Sequence, residues 1–164
     1  MSLKKPHPLW STHDGNPYNA EAARIQALFL TGRYPTEYLC RHWSHNKDGI
    51  CLQHSCFNLK IKESVEHVLL HCPALFEERR RLYFLTWIFA ADKPQIWNII
   101  ELYLWKPAND KIAMQFLLDC SCLPLVIETT QLYGQTILDN CFAISRTWCR
   151  SIHVSRMKLL GRRP

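Results

Sequence analysis

Residues 50–73 read ICLQHSCFNLKIKESVEHVLLHCP and contain four side chains of the kinds that bind transition metals. In order they are Cys51, Cys56, His67 and Cys72, with the spacing Cys-x4-Cys-x10-His-x4-Cys. A structural zinc ion takes four cysteine or histidine ligands in a tetrahedron, commonly as two close pairs. Each pair closes a small loop, so its second ligand costs little extra entropy. The spacing therefore predicts one closed zinc site.

The fourth ligand has an alternative in His71. His67 and His71 are four residues apart and share one face of a regular helix, which would give a Cys2His2 site. Cys72 lies about 140° around such a helix from His67. Pro73 disfavours helical geometry at Cys72, however, and a helix that unwinds there can turn the thiolate towards the metal. We therefore favour Cys72 and keep His71 as the alternate. The alternative interpretation is that no metal binds: Cys51 and Cys56 would then be small core residues, and His67 would be a partly exposed histidine without a ligand role.

A wider stretch, from about residue 24 to residue 81, resembles the cysteine-rich region that follows the reverse transcriptase in non-LTR retrotransposons. Its most specific part is the string Glu-x-x-Glu-His-x-Leu-Leu-x-Cys-Pro at 63–73, because a zinc site alone does not require it. The other matching residues are Arg24, Leu30 to Tyr34, Tyr38, Leu39, Arg41 and Arg79 to Arg81. By resemblance, the family's zinc ligands fall on the four residues favoured above. The first cysteine pair is usually closer in the family, and the loop before the histidine is shorter.

The resemblance implies a role in nucleic-acid binding. In that family this region is implied to hold template RNA or target DNA during target-primed reverse transcription. The implied partners are RNA or DNA, contacted mostly through phosphates, and the reverse transcriptase domain of the parent element. The chain itself has no aromatic-x-Asp-Asp polymerase motif, glycine-rich phosphate loop or zinc deaminase pattern. We therefore expect a non-catalytic module. The alternative is a structural or protein-interaction zinc module that does not bind nucleic acid.

The composition is typical of a folded domain. The chain has 164 residues, 48% of them hydrophobic, which suffices for one core plus a small metal knuckle. The longest apolar run, residues 82–91, is too short to cross a bilayer, so no membrane partner is expected. The first ten residues lack the apolar region of a secretory signal, so the eight cysteines are expected in a reducing compartment. We expect an intracellular, nuclear protein.

Prolines, caps and apolar spacing predict a mainly α fold: a helical domain with one small CCHC zinc knuckle. Residues 1–18 read as an extended N-terminal arm. Residues 19–90 read as helices plus the knuckle at 51–72, where a short β-hairpin is compatible with the sequence. Residues 91–164 read as a C-terminal helical region with a basic end. The predicted helices are 20–31, capped by Asn19 and stopped by Gly32, then 35–43, a ligand helix capped by Ser64, 74–89, 95–105, 110–120 and a long last helix.

The last predicted helix combines an apolar stripe with basic residues. The stripe consists of Ile137, Cys141, Ile144, Trp148, Ile152 and Leu159. Residues 140–164 contain six basic residues and no acidic ones. The charge of this segment, +6, therefore equals the net charge of the whole chain. The predicted nucleic-acid contacts here, off the stripe, are Arg146, Arg150, Arg156 and Lys158. The alternative is a solvated helix face.

A second basic set flanks the metal loop. Its members are Arg33, Arg41, Lys47, Lys60 and Lys62. They are predicted nucleic-acid contacts because a rigid knuckle would hold them in fixed positions. Arg79 to Arg81, by contrast, are expected on an exposed helix face, where Glu77 and Glu78 partly offset them. The six Trp residues are expected mostly in the core.

Overall fold

A computed structural model of the chain describes residues 16–43 and 45–162. Within these ranges the protein is mainly helical, which confirms the predicted class. The predicted arm lies outside the described residues except for positions 16–18, where Pro17 and Tyr18 already belong to the first helix. Strand pairing among the described residues is limited to one antiparallel bridge, between Ile50 and Lys62. Their helices include none with the length and apolar character that a membrane span needs.

Helix α1 spans Pro17–Leu30 and begins before its predicted start at residue 20. The N-cap is Asn16 rather than Asn19, because the Asn16 side-chain oxygen accepts a 2.9 Å hydrogen bond from the Tyr18 amide. A proline fits the first turn of this helix since that position needs no amide donor.

Gly32 ends α1, as predicted, with a φ of 67°. The amides of Gly32 and Arg33 donate to the carbonyl oxygens of Phe29 and Leu28, at 3.1 and 2.9 Å. These are the two hydrogen bonds of a Schellman motif, which needs a left-handed residue at the position of Gly32.

The middle of the chain consists of short helical pieces around the metal motif. Helix α2 is shorter than the predicted 35–43, and the Thr36 hydroxyl caps it by accepting a hydrogen bond from the Leu39 amide at 3.1 Å. Helix α3 was not predicted. The pieces are α2, Glu37–Cys40; α3, His54–Asn58; a π turn, His67–His71; and a 3-10 turn, Pro73–Leu75.

The second half is built from longer helices, and those predicted at 74–89, 95–105 and 110–120 lie close to these bounds. Asn109 caps α6 by accepting a hydrogen bond from the Ile112 amide at 3.1 Å. The elements are α4, Phe76–Ala90; α5, Pro94–Ile100, continued by a π turn at Glu101–Trp105; α6, Asp110–Leu118; a 3-10 turn, Cys120–Cys122; α7, Pro124–Tyr133; and α8, Thr136–Leu159.

Helix α8 is the central element and packs against α1, α4, α6 and α7. The predicted apolar stripe is buried from Ile137 to Ile152, whereas Leu159 is 46% exposed. The interior amide of Gln26 on α1 donates to the Ser145 hydroxyl on α8 at 3.0 Å. Because α1 and α8 lie far apart in sequence, their contact closes the domain.

The metal motif is part of the same interior. Cys51, Cys56 and Cys72 belong to one buried cluster with Phe29 of α1 and Trp148 of α8. The knuckle and the helices therefore share a single core.

Candidate metal centre

Two backbone links shape the first half of the knuckle. The Cys51 amide donates to the Ile61 carbonyl at 2.8 Å, and the Ile61 amide donates to the Cys56 carbonyl at 3.0 Å. The predicted hairpin is present only as the single bridge between Ile50 and Lys62, and α3 lies in the loop between these two residues. The first cysteine pair is thereby held in a compact loop.

Gly49 lets this loop lie directly against α2. Its φ is 65°, and a β-carbon added there would come within 2.6 Å of the Tyr38 Cα. Any larger residue would force the two backbones apart. The side-chain oxygen of Asn46 adds a 3.3 Å hydrogen bond from the Ile50 amide. The metal loop and α2 are therefore fixed relative to each other.

The second ligand pair lies on a π turn instead of a regular helix. Ser64 is the cap, as predicted, and its hydroxyl accepts a hydrogen bond from the His67 amide at 3.0 Å. The Cys72 amide donates to the His67 carbonyl at 2.7 Å, a bond between residues five apart. This wider turn brings the two ligands to one side. Before Pro73 the backbone of Cys72 is extended, with a ψ of 116°. The sequence predicted that the regular helix would end at Cys72, whereas the departure from it begins at His67.

The four side chains meet in the interior. The ligand atoms of Cys51, Cys56, His67 and Cys72 all lie within 4.8 Å of one another, and none of the residues is more than 6% exposed. The Cys72 Sγ lies 3.9 Å from that of Cys51 and 4.0 Å from that of Cys56. The Cys56 Sγ lies 3.5 Å from the His67 Nε2. Two thiolates of a tetrahedral zinc site are about 3.8 Å apart, since each Zn–S bond is about 2.3 Å. The group fits a metal ion and could hold one.

His71 lies outside this group. Its side chain is 46% exposed, and its Nε2 lies 2.9 Å from the Asp110 carboxylate and 3.9 Å from that of Glu66. The structure therefore gathers Cys72, and not His71, with the other three residues.

The buried thiols shift one another's proton affinity. Hydrogen bonding with Cys72, together with burial, raises the pKa of Cys51, and burial raises that of Cys56. The hydrogen bond from Cys51 lowers the pKa of Cys72, and His67 contributes in the same direction. Cys72 is therefore the favoured thiolate. A metal ion must displace protons from the other two sulfurs when it binds.

A buried cation lies behind the ligand group. Arg79 is 6% exposed, and its guanidinium donates to the Cys72 carbonyl oxygen at 2.6 Å. Three thiolates and a neutral histidine around a divalent ion leave one net negative charge, which needs a nearby cation when it is buried. Burial lowers the pKa of Arg79, while the negative charge of Cys72 acts in the opposite direction. Arg79 is placed to balance the charge of a filled site.

The prediction that Arg79 lies on an exposed face with its neighbours is wrong. Arg80 and Arg81 are exposed and pair with Glu77 and Glu78 at 2.9 and 2.6 Å. The buried residues of α4 recur with a helical period, which could have identified Arg79 as a core position. They are Arg79, Leu82, Thr86 and Ala90.

A second buried cation joins the knuckle to α8. Arg156 donates to both oxygens of the Glu63 carboxylate, at 3.0 and 2.7 Å, and neither side chain is more than 4% exposed. Glu63 also accepts a hydrogen bond from the Glu37 amide at 2.6 Å, and Arg156 donates to the Pro35 carbonyl at 3.2 Å. Glu63 directly precedes the cap Ser64, so the pair fixes the start of the ligand turn.

The predicted basic face of the last helix is divided. Arg146 and Arg156 lie off the apolar stripe, as predicted, but they are only 7% and 3% exposed and do not form part of a solvent-facing basic surface. Several helices surround α8, and its buried sector is therefore wider than one stripe. Arg150 pairs with Glu21 at 2.8 Å, while Lys158 is exposed.

Four of the five cations predicted around the metal loop meet at one surface feature, the Tyr38 depression. Its volume is about 520 Å³. The Arg41 guanidinium lies 4.1 Å from the centre of the Tyr38 ring, and the Lys62 Nζ lies 5.3 Å from it. Arg33 is exposed but does not line this depression. The lining residues are Tyr38, Arg41, Lys47, Asp48, Ile50, Lys60 and Lys62. Four cations thus share the space with one carboxylate.

Lys60 in this lining has a left-handed backbone. Its φ is 53°, and it is the single non-glycine residue with a positive φ in the described part of the chain. It follows α3, where the amides of Lys60 and Ile61 donate to the carbonyls of Phe57 and Cys56, both at 3.0 Å. These bonds form another Schellman motif.

Glycine occupies the equivalent position elsewhere in this fold. Helix α1 ends with the same motif at Gly32, and α8 ends with it at Gly161, whose φ is 64°. An L side chain in this conformation costs about 1–2 kcal/mol. Strained residues of this kind concentrate at functional sites. The strain at Lys60 thus coincides with the Tyr38 depression.

Comparison with known proteins does not assign a family. No protein-family model matches the sequence, and neither a curated protein nor a solved structure matches the chain significantly. The ligand group and the Tyr38 depression are therefore the features of the chain that indicate its function.

Proposed function

We propose that this chain is a non-catalytic zinc-binding and nucleic-acid-binding module from the C-terminal end of a non-LTR retrotransposon reverse transcriptase. It helps hold template RNA or target DNA beside the reverse transcriptase domain of its parent element, in the nucleus. The observation that carries the proposal is the Tyr38 depression, where four cations converge on the surface of a metal-binding knuckle.

The donor set supports zinc as the metal. Three sulfurs and one imidazole nitrogen suit a tetrahedral zinc ion better than hard cations, which prefer oxygen ligands. With four protein ligands and almost complete burial, the site keeps no position for a reacting water. Zinc would supply structural cross-linking of the knuckle here, and not chemistry.

The charges around Tyr38 support a phosphate ligand. Lys47 comes from the loop before the first cysteine, Lys60 and Lys62 follow the second, and Arg41 follows α2. The bridge at Ile50 and the links within the knuckle hold these segments together. Proteins contact the backbone phosphates of nucleic acid with clustered Lys and Arg side chains of this kind.

The test is the salt dependence of nucleic-acid binding. Four phosphate contacts give a slope of about −3 in log affinity against log salt for a single strand. The double variant Lys60→Gln/Lys62→Gln is expected to flatten that slope by about 1.4. Arg80→Gln/Lys111→Gln removes two exposed cations outside the depression and serves as the matched control. Equal slopes for wild type and the Lys60/Lys62 variant would refute the proposal.

A second candidate function is a protein-interaction zinc module without nucleic-acid binding. It is favoured by helix α4, which exposes large apolar side chains that a folded domain normally covers. These include Phe84 at 58%, Ile88 at 50% and Trp87 at 47% exposure. If the chain does not bind RNA or DNA at low salt while it retains zinc, this second function takes precedence.

A further inference from the structure

Trp43 departs from the expectation that the tryptophans lie mostly in the core. It is 82% exposed, the highest value among the large hydrophobic residues of the described chain. Its backbone is ordered by a 2.9 Å hydrogen bond from the Trp43 amide to the Cys40 carbonyl, just beyond α2. Its ring meets that of His42 edge-on, with the centroids 6.3 Å apart. With 82% of the residue exposed, most of the indole surface is open to solvent.

Trp43 is joined through the backbone to two residues that line the Tyr38 depression. Two residues before it, Arg41 lines the depression and stacks on the Tyr38 ring. One residue before it, the His42 carbonyl accepts a 3.3 Å hydrogen bond from the Lys47 ammonium. The backbone segment that carries the exposed indole is therefore tied to two of the four clustered cations.

We propose that Trp43 and the Tyr38 depression together bind single-stranded RNA or DNA, with one base stacked on Trp43 and the adjoining phosphates on the cations of the depression. This inference rests on the proposed nucleic-acid function and specifies its ligand. In a duplex the flat faces of the bases are already stacked, so a side chain on the surface can stack only on an unpaired base. The four cations of the depression favour a polyanion as the ligand. The exposed indole of Trp43 favours a polyanion that also carries aromatic rings.

The strained lysine fits this ligand. Lys60 adopts a conformation that glycine takes at the two matched helix ends, and its side chain lines the same depression. The cation therefore lies in the depression at a conformational cost, as expected for a residue that contacts a ligand.

The test compares three labelled probes: a single strand, the same strand with abasic sites, and the strand annealed to its complement. Binding is measured by fluorescence anisotropy. Trp43→Leu is expected to weaken binding of the intact single strand by about 5- to 150-fold, and Trp43→Phe to restore most of the loss. Affinity for the abasic strand and for the duplex should stay as in wild type. Trp87→Leu makes the same change at a Trp on α4 that is 47% exposed, and it should have no effect.

The outcomes separate this inference from the proposed function. If Trp43→Leu binds the single strand as wild type does while Lys60→Gln/Lys62→Gln weakens it, the contact is with phosphates alone, and the stacking inference fails. If neither change alters binding, the proposed function fails as well. Tight binding to anionic lipid vesicles that needs Trp43, with no binding to the strands, would overturn both. Zinc content, equal in all variants, verifies that they are folded.

Discussion

The buried guanidinium of Arg79 donates a 2.6 Å hydrogen bond to the backbone carbonyl oxygen of Cys72. A cation is therefore placed directly behind a metal-ligand candidate, at a site where three thiolates would concentrate negative charge. The contact also holds the backbone at the point where the π turn gives way to extended structure.

Removing this cation should weaken metal binding. Arg79→Met keeps the buried volume but leaves the charge of the filled site unbalanced, so zinc affinity is expected to fall by about 10- to 100-fold. Competition with a chromophoric chelator measures it. Arg80→Met, at an exposed position on the same helix, should bind zinc as wild type does. Undiminished affinity in the Arg79 variant would show that the charge is balanced elsewhere.

Purified protein should contain one zinc ion per chain. Cys72→Ser is expected to lose the metal, since its sulfur lies 3.9 and 4.0 Å from those of Cys51 and Cys56. His71→Ala should retain it, because the His71 ring faces Asp110. Elemental analysis after dialysis against a weak chelator gives the answer. The opposite pattern would transfer the fourth ligand to His71.

Breaking the pair between Arg156 and Glu63 should destabilise the whole domain. Arg156→Met leaves a buried carboxylate without its cation, which is expected to lower the free energy of unfolding by about 3–5 kcal/mol. Urea titration of the zinc-loaded protein measures it. Lys158→Met, an exposed change on the same helix, should shift the value by less than about 0.5 kcal/mol. A loss of nucleic-acid binding without any loss of stability would instead make Arg156 a phosphate contact.

Replacing Lys60 by glycine should stabilise the protein and weaken its binding of nucleic acid. Lys60→Gly removes the left-handed strain and is expected to raise the free energy of unfolding by about 1 kcal/mol, while the lost charge weakens nucleic-acid binding. Lys60→Gln is the matched variant, because it loses the charge but keeps the strain. It should weaken binding to a similar extent without stabilising the protein. A destabilised Lys60→Gly variant would contradict this account of the backbone.

The ligand group was predictable because its information is local. Four residues within 22 positions, with a proline after the last, suffice to indicate a site and to favour Cys72. The helical class was predictable for the same reason. The interior positions of Arg79 and Arg156 were not predicted, since basic residues are assigned to the surface by default. Arg79 had a local signal in the period of α4, whereas Arg156 acquires its partner from a residue 93 positions away.

The exposure of Trp43 and the strain at Lys60 could not be predicted from composition. A tryptophan near a short helix is assigned to a core by its hydrophobicity, and only the packed structure reveals its 82% exposure. The left-handed lysine follows from the way α3 is terminated within the metal loop, and α3 itself was not predicted.

Because α8 is the central helix and is synthesised after the other described helices, we expect it to control when the domain can fold during translation. The contact between Gln26 and Ser145 spans 119 residues, and that between Glu63 and Arg156 spans 93. A nascent chain that has emerged only through α7 holds α1 without its main packing partner and Glu63 without its cation. Its apolar helix faces stay open until residues 136–159 arrive, and such surfaces are the ones that chaperones bind. The apolar helix faces are therefore expected to become buried only after α8 has been synthesised.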